Sequence, residues 1–148
     1  MYEQPYWISG LMVPDVVSHL SRRGLTCEGP APRGETMDSW ECRAPSDAEG
    51  LQREVSIVGR DPGRVRSVSA RISSEGGMPS DEAAADFLGF VATLLYEGAE
   101  PARARQWVVE NVSSGGKLTI GNANFELSSE ERARVLRIVS TQSREAGG

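Results

Sequence analysis

Apolar residues along this chain recur in two different periods, and the changes between them divide it into elements. Val13, Val16, Val17 and Leu20 recur at helical spacing. Pro14 and Asp15 suit the first turn of a helix, Arg22 and Arg23 its last, and Gly24 its stop. The spacing predicts a helix over 14–23. The period then drops to two. Leu25–Gly29 and Trp40–Ala44 read as strands, with Trp40, Cys42 and Ala44 alternating against Ser39, Glu41 and Arg43. Between them lies a loop, 30–39, holding Pro30, Pro32 and Gly34. After a turn over 45–50, Val55 and Ile57 alternate with Glu54 and Ser56, and Val68, Ala70 and Ile72 with Ser67, Ser69 and Arg71. Asp61-Pro62-Gly63 is the turn between them, so 53–73 is a β-hairpin.

A Gly- and Ser-rich connection over 73–80 ends in Ser80, a good N-cap, with Asp81 and Glu82 behind it. Ala84, Phe87, Leu88, Val91, Leu94 and Leu95 give a wide apolar face and predict a helix over 81–97, stopped by Gly98. Pro101 opens a second helix, with Ala104, Trp107 and Val108 inward, and Gly115-Gly116 close it. Leu118, Ile120, Phe125 and Leu127 flank Gly121-Asn122 as a short hairpin. Ser128 with Glu131 reads as a capping box for a last helix, 129–140, using Val135, Leu136, Ile138 and Val139. The expected order is α-ββββ-αα-ββ-α. It implies an α+β fold: a four-stranded antiparallel meander with helices mainly on one face, plus a short C-terminal β-hairpin and helix.

A length of 148 residues without a composition break suits one domain, 1–148, with an aromatic N-terminal segment over 1–13 and a frayed tail over 141–148. A chain of this size buries roughly two-thirds of its unfolded surface, enough for a core without metals. The net charge of −5 argues against nucleic acid as partner, and against anionic membrane surfaces. Lys117 is the only lysine among many arginines, a compositional habit and not a functional sign. No apolar run reaches the roughly 20 residues of a membrane span, and residues 1–13 lack the charged and apolar regions of a signal peptide. The chain is expected to be soluble, either cytoplasmic or, slightly favoured, a mature extracytoplasmic domain.

Cys27 and Cys42 carry the sharpest geometric expectation. With strands on either side of the 30–39 loop, the register places them opposite each other, close enough for a disulfide. Closing such a loop is worth ~3 kcal/mol in the chain-entropy account. The alternative is two buried, inert thiols. Two cysteines and one histidine make a poor zinc site, and Asp38, Glu41 and Asp47 do not have EF-hand spacing, so no metal is expected.

Catalytic signatures are missing. His19, the only histidine, follows Ser18, but no Ser stands in a Gly-x-Ser-x-Gly elbow. Asp81, Glu82, Glu130 and Glu131 are acidic pairs that helix N-termini explain. Gly76-Gly77 is not a phosphate loop, and no Gly-x-Gly-x-x-Gly occurs, so no cofactor is expected. Helix and hairpin over 101–127, with Arg103 and Arg105, only loosely match a winged helix–turn–helix. Trp40 and Trp107 read as core, whereas Tyr2, Tyr6 and Trp7 need somewhere to pack. The leading expectation is a non-enzymatic binding or interaction module for a protein or small-molecule partner. Its expected surface is Tyr6, Trp7, Pro30 and Pro32. The alternatives are a small hydrolase-like enzyme using carboxylates and hydroxyls, and a cytoplasmic regulatory protein.

Overall fold

A computed structural model describes residues 7–141. Helix α1 (Val13–Ser21) is followed by strands β1 (Thr26–Arg33), β2 (Met37–Arg43), β3 (Leu51–Asp61) and β4 (Arg64–Ser74). Helices α2 (Asp81–Val91) and α3 (Pro101–Asn111) come next, then strands β5 (Gly116–Ile120), β6 (Ala123–Glu130) and β7 (Ala133–Ser140). All the strands lie in one antiparallel sheet of order β1-β2-β3-β4-β7-β6-β5. The fold is α+β, as expected, and the four-stranded meander is present. It is part of a seven-stranded sheet, because the C-terminal hairpin gains a third strand and joins it through β4.

That third strand corrects the sequence reading. Residues 133–140 are β7 and not a helix. Glu131 and Arg132 make the turn after β6, with Arg132 at φ 64°, so Ser128 and Glu131 belong to a hairpin and not to a capping box. β7 is paired on both sides, and its two faces both carry apolar residues: Leu136 and Ile138 on one, Val135 and Val139 on the other. A strand without polar alternation looks like a buried helix segment over so short a run.

The registers build the sheet in rows. Trp40, Ile57, Val68, Ile138, Phe125 and Leu118 stand side by side across six strands, on the face that packs against the helices. One position along, the opposite face carries Glu28, Glu41, Ser56, Ser69, Arg137, Glu126 and Lys117. The period of two thus separates a core face from a polar one. Val16 and Leu20 of α1, Phe87, Leu88 and Val91 of α2, and Ala104 and Val108 of α3 join the first face in one buried cluster.

Two further boundaries differ from expectation. α2 ends at Val91, six residues short, because Thr93 turns back on the helix: its N–H reaches the Phe90 carbonyl at 3.1 Å and its hydroxyl reaches it at 2.6 Å. Leu94 and Tyr96 are still buried beyond the helix, while Leu95 is 67% exposed. The Pro-rich stretch is also not a loop. Pro30 and Pro32 lie in β1, with a cis Gly29–Pro30 bond and a bulge between Glu28 and Ala31, and the turn is confined to 34–36.

Candidate functional site

α1 buries one stripe and presents another. Asp15, Ser18, His19 and Arg22, at i, i+3, i+4 and i+7, form a polar line along the helix, opposite the buried Val13, Val16 and Leu20. This line is one wall of a cleft of about 640 Å³. The other wall is Thr93, Leu94, Leu95 and Tyr96, the irregular segment that follows the early end of α2, and Gly10 completes it. The size is that of a small-ligand site, and the lining is as polar as it is apolar.

His19 is the obvious chemical group here, and its partners decide what it does. Its Nε2 lies 2.9 Å from the Phe90 carbonyl, which can only accept, so Nε2 carries the proton. The Thr93 hydroxyl donates to the same carbonyl and lies 3.2 Å from Nε2. Two donors therefore meet on one acceptor, which is not the arrangement of a base activating a nucleophile. The imidazole also stacks on Phe90, centroids 4.2 Å apart, and the Arg23 guanidinium lies 4.3 Å from the same ring while pairing with Asp86. Burial holds the His19 pKa below its ordinary value; the charges of Arg22 and Arg23 act in the same direction, against the Phe90 hydrogen bond. His19 is a neutral tie between α1 and the end of α2, with Nδ1 left as an acceptor. Tyr96 is equally committed: its hydroxyl donates to the Ile120 carbonyl at 2.8 Å, and burial pushes its pKa up to about 12.

The polar face of the sheet holds a smaller hollow of about 270 Å³ over β3 and β4, where Ser56 and Ser69 leave little bulk between larger neighbours. Part of its charged rim is paired internally. Ser56 donates to Glu41 at 2.9 Å, and Arg71 pairs with Glu130. Compared with protein-family models, curated proteins and solved structures, the chain finds no match in any of the three.

The residues singled out from sequence scatter. Cys27 and Cys42 are opposed in β1 and β2 and joined by a disulfide. Trp7 is half-buried, its ring 5.9 Å from the Arg64 guanidinium, and lies apart from Pro30 and Pro32 on the exposed edge strand. Tyr6 and Tyr2 lie outside the described residues. Asp81 and Glu130 are surface partners of Arg134 and Arg71. Among the described residues no group of three or more His, Cys, Asp and Glu could hold a metal. The cleft was missed because each polar residue of α1 has a bland local explanation, and nothing in sequence tells that residues 93–96 leave the helix. The available signal was the polar i, i+3, i+4, i+7 stripe itself.

Proposed function

We propose that this chain is a non-enzymatic binding module acting outside the cytoplasm, and that it takes a small elongated ligand in the α1 cleft. The observation that carries the reading is the placement of charge. Asp15 and Arg22 lie at opposite ends of the polar stripe, and among the described residues neither is in a salt bridge. Seven residues of helix separate them by about 10 Å. Ser18 and His19 lie between as neutral residues, and Leu94 and Leu95 line the same cleft. A ligand with an ammonium at one end, a carboxylate at the other and an apolar middle matches this pattern. A free peptide of three residues, extended, spans about the same 10 Å. The disulfide supports an oxidising compartment.

Calorimetry with Ala-Leu-Ala tests the reading. Binding should weaken when the peptide is acetylated or amidated. Asp15→Asn and Arg22→Gln should each cost about fivefold in Kd, the size of one exposed charge contact. Equal binding of free and blocked peptide, or no binding by either, contradicts the proposal.

A further inference from the structure

Strand β1 is held to the sheet in an unusual way. It is an edge strand, exposed along its whole length except at half-buried Cys27. Cys27 is the one apolar side chain of β1 that joins the core cluster. Its other contacts with β2 are poor. Glu28 stands directly opposite Glu41, a like-charge pair. Pro30 and Pro32 have no N–H to give to a ladder, and the bulge between Glu28 and Ala31 breaks the register. β2 is different. Its pairing with β3 is no longer than its pairing with β1, but the register is unbroken, and it buries Trp40 and Cys42 on the core face.

What β1 covers is specific. Gly29 lies against the indole of Trp40: a Cβ there would stand 2.9 Å from Trp40 Cδ1 and 2.8 Å from the Ser39 carbonyl oxygen. Gly29 has φ +137°, so only glycine brings the strand this close without strain. Lifting β1 would uncover the ring and leave the backbone edge of Met37–Arg43 without a neighbour.

We infer that the Cys27–Cys42 disulfide is a reducible latch on β1, a site of thiol–disulfide exchange whose opening frees the β2 edge. The two sulfurs are not equivalent. Cys42 is 1% exposed, whereas Cys27 is half-buried on the outermost strand, so an incoming thiolate reaches Cys27. A dithiol is the reductant. One of its thiolates attacks Cys27 Sγ, the S–S bond breaks, and Cys42 leaves as a thiolate that takes a proton. The reductant's second thiol, as thiolate, then attacks the mixed disulfide and releases Cys27 as a thiolate that is protonated in turn. The protein ends with two thiols and the reductant with one disulfide. β1 and the turn over 34–36 then leave the sheet, while β2 stays, anchored by Trp40 and by β3.

Native protein treated with millimolar dithiothreitol, without denaturant, tests this by hydrogen exchange. Amides of 26–33 and of the β2 edge should exchange at least about tenfold faster after reduction, with β3, β4, β6 and β7 unchanged. Tryptophan emission should shift to the red, and the shift should be absent in Trp40→Phe. A monothiol should be trapped on Cys27 and not on Cys42. Cys27→Ser/Cys42→Ser should show the opened pattern without reductant. Three results overturn the inference: a bond that resists dithiothreitol until the protein is unfolded, unchanged protection of 26–33 after reduction, or loss of protection throughout the sheet. The last would make the bond a staple for the whole fold. A double variant that fails to fold counts with that last result.

Discussion

At the scale of single residues, most charged side chains sit where their loss costs little, and Arg134 is the exception. It points to the core face of β7, and its side chain is 11% exposed. It donates to the Val112 carbonyl at 2.5 Å and to Asp81 at 2.8 Å, which ties the end of α3 to the start of α2. Its Nε, although buried, has no partner. Arg134→Met should destabilise the protein by about 1–3 kcal/mol in urea unfolding, because it leaves a buried carbonyl unpaired. Asp81→Asn should cost under about 1 kcal/mol, since that carboxylate is 57% exposed.

His19 gives a pH test at the same scale. Its folded pKa is below the unfolded value, so between the two values the unfolded chain binds more protons. Stability is therefore full above about pH 6.5, falls as pH drops below it, and levels off once the lowered folded pKa is passed. Asp47 and Asp61 carry lowered pKa values too, Asp47 chiefly through the Leu51 N–H and Asp61 chiefly through Arg64. Their contribution is lost only in more acid solution, below about pH 4. Unfolding free energies measured from pH 7 down to 5 should thus slope in the wild type and flatten in His19→Gln. An identical slope in both would show that another group is responsible.

At the scale of elements, β7 is where sequence and structure part, and it is also where the sheet is joined. Ile138 is 2% exposed, on the buried row between Val68 and Phe125. Ile138→Ala should cost about 2–5 kcal/mol in urea unfolding. Val58→Thr, on the open face of β3, should stay within about 1 kcal/mol. A helix over 129–140 would make no such contrast along a row of registered partners. The meander was legible because β2, β3 and β4 keep one polar face, so their alternation survives. Trp40, Val55, Ile57, Val68 and Ala70 fell into place from period two alone, and the Cys27–Cys42 register followed from it. β7 was hidden because central strands lose alternation. The end of α2 was hidden because Leu94 and Leu95 continue a helical period that Thr93 has already broken.

At the scale of the molecule, the helices cover one face of a sheet seven strands wide, and the other face is mainly polar, with Val58, Val135 and Val139 among its rows. No helix of the described residues is long and apolar enough to cross a membrane. Residues 96–99 pass over the β5–β6 turn. There Gly98 and Gly121, both at positive φ, meet so closely that a Cβ on Gly98 would stand 2.9 Å from the Gly121 Cα. Gly98→Ala should lower stability by about 1–3 kcal/mol, read as a lower melting temperature, through backbone strain and this contact together. The same segment leads on from the wall of the α1 cleft, so the cleft's shape depends on a junction distant in sequence from α1. That dependence explains why the cleft could not be assembled from local pattern.

The central claim is that this cleft binds a small ligand carrying separated charges. The most direct measurement is a nitrogen–proton NMR titration of the uniformly labelled protein with Ala-Leu-Ala. The account predicts saturable shifts confined to amides of residues 10, 15–23 and 93–96, reduced in Arg22→Gln. Shifts centred instead on Ser56, Ser69 and Arg137 of the open sheet face, or none at millimolar peptide, would contradict it.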